Sequence, residues 1–151
     1  MNLSGIRILL VDDIEINRLI IRELLSLSDL SIDEAEDGRQ AVDMFNVSPE
    51  GYYDVILMDV QMPVLDGYEA AREIRALDRA DAKTAPIIAL SADANKEDVE
   101  LALAAGMNNH IAKPIKMSLL IKTVGKEIQN RAGAKTAPKK AAPEKGGLYP
   151  S

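Results

Sequence analysis

The sequence contains no cysteine, no tryptophan, one histidine and one phenylalanine among 151 residues. Without cysteine there is no disulfide framework and no thiolate metal site. The lone histidine, His110, leaves no multi-histidine zinc site. No stretch approaches the ~20 apolar residues of a membrane-spanning helix. The early apolar run 8–11 stops at Asp12-Asp13, too short for the core of a signal peptide. The expectation is a cytoplasmic chain with no direct membrane contact. The N-x-S triplets at Asn2 and Asn46 then carry no meaning.

What is present fits an ordinary globular domain. Apolar residues make up 47% and charged residues 28%. The length suits one domain with a real core. Net charge is −6 and unevenly spread. From Arg131 onward, Arg131, Lys135, Lys139, Lys140 and Lys145 face only Glu144, so the body of the chain is strongly acidic. An acidic body poor in aromatics is a poor nucleic-acid binder, because phosphate contacts dominate that affinity. It suits a cation or a basic partner instead.

Apolar runs alternate with stretches of helical period. Strands are predicted over 6–11, 31–35, 54–58, 86–90 and 110–112. Helices are predicted over 16–27, 38–45, 68–77, 96–105 and 118–128, with Gly106 closing the fourth. The first helix places Ile16, Leu19, Ile20, Leu24 and Leu27 at helical spacing, a stripe suited to the core. Ile14, Ile16, Ile20 and Ile21 leave much apolar surface near the first strand's end, and part of it could serve as a docking patch, with core packing the more ordinary use. Regular alternation argues for an α/β fold: a doubly wound parallel sheet covered on both faces. Periodicity leaves the strand order open. Residues 1–130 are expected to form the domain. Residues 131–151, dominated at 133–151 by Ala, Lys, Pro and Gly, read as a disordered tail or linker.

In open α/β sheets ligands bind beyond the carboxyl ends of the strands. There the first strand ends at Asp12-Asp13, the third at Asp59 and the fourth at Ser91, and Lys113-Pro114 follows the fifth. Three clustered carboxylates repel one another. A hard divalent cation such as Mg²⁺ relieves that repulsion, taking carboxylates, waters and a phosphate oxygen. Lys113 and Ser91 suit the remaining phosphate oxygens. A carboxylate can act as nucleophile and form an acyl phosphate, and phosphoryl transfer needs mainly positioning and charge neutralisation. Each residue also has a plainer use. Asp12, Asp13 and Ser91 could cap helices, Asp59 could cap a turn, and Lys113 could be a solvated surface residue. Four strand ends converging by accident is much less probable than any one of these alone. His110, without a partner in the sequence, is assigned no chemistry.

ILLVDD, VILMDVQMPVLDGYEA, IIALSA and HIAKPI together resemble the response-regulator receiver family of two-component signalling, over residues 6–128. The stretches VDDIEINRLI and GMNNHIAKPI are most similar to receivers attached to hybrid histidine kinases. The resemblance implies a flavodoxin-like, five-stranded parallel sheet of order 2-1-3-4-5. It implies that Asp59 is the phosphoacceptor and that Asp12 and Asp13 hold Mg²⁺ with Asp59 and the backbone carbonyl of Gln61. It implies that Ser91 is the switch hydroxyl, and that Lys113, on a cis bond to Pro114, pairs with the phosphoryl group. Two positions depart from the commonest pattern: Ile14 stands where Asn is frequent, and His110 where Phe or Tyr is usual. Gln61 and Asp93 occupy the variable positions that flank the site.

The expected function is phosphorelay signalling. A histidine kinase or histidine phosphotransfer protein donates to Asp59, Ser91 moves inward, and the face formed by the fourth helix, fifth strand and fifth helix repacks. Such a chain is a phosphoacceptor that assists its own phosphorylation and dephosphorylation rather than a conventional enzyme. Two alternatives stay open. One is an interaction module that works without phosphorylation. The other is an aspartate-nucleophile phosphatase, disfavoured because Gln61 stands where its second carboxylate is expected.

Overall fold

The computed structural model describes residues 3–92 and 95–135. Five strands alternate with five helices: β1 (Arg7–Val11), α1 (Glu15–Leu24), β2 (Ser31–Ala35), α2 (Gly38–Val47), β3 (Val55–Asp59), α3 (Gly67–Arg75), β4 (Ile87–Ser91), α4 (Lys96–Ala104), β5 (Asn109–Ala112) and α5 (Met117–Lys135). A short 3₁₀ turn, Ala80–Ala82, precedes β4. All strand pairs are parallel, in the order β2-β1-β3-β4-β5. The strand order implied by the resemblance is therefore observed.

Parallel strands need helical crossovers, and these cover both faces of the sheet. Successive side chains point to opposite faces. Leu9, Val11, Ile56, Met58, Ile87 and Ala89 join a core built with α2, α3 and α4. Ile8, Leu10, Leu57, Ile88, Leu90 and Ile111 join the other core, against α1 and α5. Every residue of β3 and β4 is buried, which explains their uninterrupted apolar runs. Each Leu or Ile sealed in this way contributes about 1.5–3 kcal/mol.

Local chemistry fixes the helix starts. Asp37 accepts from the Gln40 N–H at 2.8 Å and caps α2. Asp66 and Glu69 form a reciprocal capping box on α3. Asn95 caps α4 through the Asp98 N–H. The order β2-β1-β3 reverses direction at β1, so the crevice beyond β1 and β3 is the natural ligand position.

Two expectations need correction. The stripe assigned to the core of α1 largely faces water: Ile16 is 56% and Ile20 47% exposed, and Leu27 lies beyond the helix end, fully out in solvent. The buried side carries Arg18, Ile21 and, just after the helix, Leu25. The helix is strongly amphipathic, yet the side it buries takes in Arg18 from its polar face, so hydrophobic pattern alone does not set its rotation. Two arginine–carboxylate pairs, Arg18 and Arg22 with Glu34 of β2, do. The second correction concerns α5, which continues past Ile128 to Lys135 and takes in the first residues expected to be tail. Ala, Lys and Arg are strong helix formers, and they sustain it through Gly133. The rest of the expected tail, 136–151, lies outside the described residues.

Candidate phosphoacceptor site

Asp12 follows the last residue of β1. Its N–H donates to the Ala35 carbonyl at 3.2 Å, extending the sheet pairing by one residue. The side chain is fully buried. Oδ1 accepts from the Ile14 N–H at 2.9 Å and from Asn17 Nδ2 at 3.5 Å. Oδ2 is buried and has no hydrogen-bond partner among the described residues. Asp13, next in line, is exposed.

Asp59 is the last residue of β3 and is also buried. Its Oδ1 accepts from the Gln61 N–H at 3.4 Å. Ser91 ends β4, and its carbonyl accepts from the Lys113 N–H at 2.8 Å. That bond, with the Ser91–Ala112 register, sets Lys113 beside the carboxylates. The Lys113–Pro114 peptide is cis. The Lys113 ammonium lies 3.4 Å from Asp59 Oδ1 and 3.6 Å from Asp12 Oδ2, spanning the two buried acids. Carboxylate oxygens of Asp12, Asp13 and Asp59 all lie within 4.8 Å of one another.

The electrostatics follow. Burial pushes the Asp59 carboxyl above its ordinary range, and the Asp12 carboxylate pushes it further. Lys113 and the Gln61 N–H oppose both. The site therefore holds more negative charge than its one ammonium balances. An all-oxygen donor set with a buried carboxylate oxygen lacking a hydrogen bond suits a hard divalent cation such as Mg²⁺. Beside the site, Asp12, Asn17, Ile20, Ile21, Lys113, Pro114 and Ile115 line a cavity of about 420 Å³.

The structure brings Asp12, Asp13, Asp59 and Lys113 together, and Ser91 ends the strand next to Asp59. Gln61 stands two residues past Asp59 with its N–H turned towards it. Neither Asp12 nor Asp13 caps a helix with its side chain as an N-cap residue; that position on α1 falls to Ile14, whose side chain makes no cap bond. His110 pairs in register with Ala89 within the sheet. Its Nε2 is buried and has no hydrogen-bond partner among the described residues. Asp93 lies outside the described residues.

Sequence reasoning missed Gly67. A Cβ there would sit 2.3 Å from the Asp59 carbonyl oxygen and 2.7 Å from Val60 Cα. The start of α3 is thus pressed against the backbone of the acceptor strand, an approach only glycine permits. The signal was present in Asp66-Gly67-Tyr68-Glu69, a capping-box spacing immediately after the third strand's loop. Arg18 and Glu34 were missed too, because a charged pair reads as a solvated surface until the fold shows it half-buried.

The response regulator receiver domain model matches residues 8–125. The receiver domain of a sensor histidine kinase from Pseudomonas aeruginosa PAO1 is 41% identical, with a TM-score of 0.74 over 83% of this chain and 99% of that one. Its crystal structure has a magnesium ion coordinated in the active site cleft. A probable histidine kinase of Oryza sativa subsp. indica is 39% identical over 133 residues, covering 81% of this chain. The chain spans only 13% of that kinase's length. The receiver domain of a Saccharomyces cerevisiae response regulator, co-crystallised with a histidine phosphotransfer signalling protein, appears among the similar structures at 30% identity. Its TM-score is 0.72, over 91% of this chain and 94% of that one. With this fold and this acidic cleft, the chain belongs to the response regulator receiver family and is a receiver domain of two-component phosphorelay signalling.

Proposed function

We propose that Asp59 is the residue that accepts the phosphoryl group, donated by a phosphohistidine on a histidine kinase or a histidine phosphotransfer protein. The observation that carries this reading is the Lys113 ammonium set between Asp59 and Asp12 at the carboxyl end of the sheet. A carboxylate oxygen of Asp59 attacks phosphorus, the phosphorus–nitrogen bond breaks, and the electron pair leaves with the imidazole. Lys113 and the Ser91 hydroxyl bind phosphoryl oxygens, and Lys113 and the Gln61 N–H favour the ionised Asp59 that the attack requires. Mg²⁺, held by Asp12, Asp13, Asp59 and the Gln61 carbonyl, supplies neutralisation of the charge on the phosphoryl oxygens.

Contacts made only in the phosphorylated state then shift the domain between two conformations, with Ser91 and His110 on the moving path towards α4, β5 and α5. The exposed Ile14, Ile16 and Ile20 beside Asp12 form the apolar ground on which the donor protein seats. The domain works in the cytoplasm, as part of a hybrid histidine kinase, and promotes its own phosphorylation and dephosphorylation.

The test is intact-mass measurement after incubation with a small phosphodonor, with and without Mg²⁺. The expected result is a Mg²⁺-dependent gain of one phosphoryl group, absent in Asp59→Asn. Stoichiometric labelling of Asp59→Asn would remove the assignment, and no labelling of a folded wild type would favour a module that binds without phosphorylation.

A further inference from the structure

We propose that Arg18, locked by Glu34, is the positioning residue of the metal-binding acids, and that it acts through the backbone of Asp12. This inference rests on the reading that Asp12, Asp13 and Asp59 hold Mg²⁺.

Past Val11 the β1 strand has run out of partners on the carbonyl side. The Asp12 carbonyl is nevertheless satisfied: Arg18 Nη1 donates to it at 2.7 Å in a fully buried bond. On the other side the Asp12 N–H is held by Ala35. The backbone of Asp12 is thus pinned at both ends, while Ile14 N–H and Asn17 hold one carboxylate oxygen. The one atom left without a hydrogen bond is Oδ2, which faces the ammonium of Lys113. Four restraints on one residue aim a single oxygen into the site.

Arg18 does not stand alone. Its Nε donates to Glu34 Oε1 at 2.7 Å, and Arg22, one turn further along α1, donates to Glu34 Oε2. Glu34 lies on β2, in register with Leu10 of β1. The carboxylate therefore fixes the plane of the Arg18 guanidinium from the neighbouring strand, leaving Nη1 directed at Asp12. A guanidinium suits this task because its fork offers two donors in fixed geometry, which an ammonium lacks. Arg18 makes no hydrogen bond to the carboxylate oxygens of Asp12, Asp13 or Asp59; its contact with the site is the Asp12 backbone carbonyl. Groups that orient metal ligands from behind typically govern affinity by about 10–100-fold.

The test is calorimetric titration of the unphosphorylated full chain with Mg²⁺, at a temperature where each variant is fully folded. Arg18→Met is expected to weaken Mg²⁺ binding by about tenfold or more. Arg18→Lys, which keeps the charge but satisfies only one of the two acceptors, is expected to restore little of it. Glu34→Gln, a gentler change, gives an intermediate loss and serves if Arg18→Met does not fold. Arg79→Met is the control: Arg79 also donates to backbone carbonyls, at Phe45 and Asn46, but remote from the acids, so its loss costs stability and leaves Mg²⁺ affinity unchanged. Wild-type affinity in Arg18→Met or Glu34→Gln, with Asp13→Asn strongly impaired, overturns the proposal. Equal weakening in Arg79→Met also overturns it, because general destabilisation then accounts for the loss. Absence of Mg²⁺ binding by the wild type overturns instead the reading on which the proposal rests.

Discussion

Replacing Lys113 by Met keeps the apolar stem and deletes the ammonium that separates two buried acids. Each contact, at 3.4 and 3.6 Å, corresponds to roughly 5 kcal/mol of gross attraction at an effective dielectric constant of about 20. Desolvating the ammonium offsets part of this, and breaking a buried pair typically costs about 3–5 kcal/mol net. The Lys113 side chain is 26% exposed, so solvent screening favours the lower end. Lys113→Met is therefore expected to lower the unfolding free energy by about 3 kcal/mol at neutral pH without divalent ions, which corresponds to about 10 °C in Tm. Urea unfolding followed by circular dichroism measures it, provided the m-value is unchanged. The pH dependence has a fixed sign. Asp59 is an acid whose folded pKa is raised, so in this window the folded state binds the extra proton. Its contribution is most favourable below the unfolded pKa and is lost as pH rises through the folded value. Without Lys113 that value rises further, so the deficit shrinks on acidification. Mg²⁺ narrows it too, by replacing the missing positive charge. A deficit that persists unchanged in an Asp59→Asn background would show that Lys113 contributes packing, and the electrostatic account would fail.

Gly67→Ala forces a Cβ to 2.3 Å from the Asp59 carbonyl, so urea unfolding should show a stability loss of about 1–3 kcal/mol and timed intact-mass measurement with a small phosphodonor should show slower phosphoryl uptake. Normal uptake would mean the acceptor strand is insulated from α3. Val64 is a β-branched residue at φ 70°, 80% exposed in the loop after β3. Val64→Asn is expected to raise stability by about 1 kcal/mol, because Asn tolerates the left-handed region; a loss in denaturant midpoint would contradict the strain. Partial burial raises the Glu34 carboxyl, but the hydrogen bonds from Arg22 and Arg18 outweigh it and hold the pKa below its ordinary value. Its stabilisation is fully present above the unfolded pKa and lost as pH falls through the folded one. Glu34→Gln should therefore flatten the acid limb of the stability profile, and an unaltered limb would dissociate Glu34 from acid unfolding.

The alternation of β-branched runs with helical stripes was enough to specify a doubly wound sheet, and residues 54–58 read as a buried strand because the apolar run that fills it is covered on both faces. Asp12, Asp59, Ser91 and Lys113 were legible because each closes or follows an apolar run, where chemistry is placed in this architecture. The rotation of α1 was not. Its isoleucines are spaced to pack, yet Ile16 and Ile20 face outward because a carboxylate on β2 holds Arg18 under the helix, with Arg22 at its edge. No local pattern announces that Glu34 and Arg18 meet, since they are sixteen residues apart and belong to common surface types. Gly67 was hidden for a related reason: a glycine after an Asp cap looks like turn punctuation until the backbone it touches is known.

The residues of the site are divided along the chain. Asp12 and Asp13 directly follow β1 and Asp59 ends β3, whereas Lys113 follows the last strand. A chain that has paired only β2, β1 and β3 already gathers the acids, with no ammonium to separate them. Repulsion then works against that partial sheet, whose β3 edge is apolar and open to pairing with other chains. Pairing of β4 covers that edge, and β5, added on β4, then delivers the cation, so the last long-range contact is rewarded by charge as well as by burial. An interruption of the chain before β4 leaves both defects in place, and such fragments should gather into aggregates rather than linger as folded, half-active receivers.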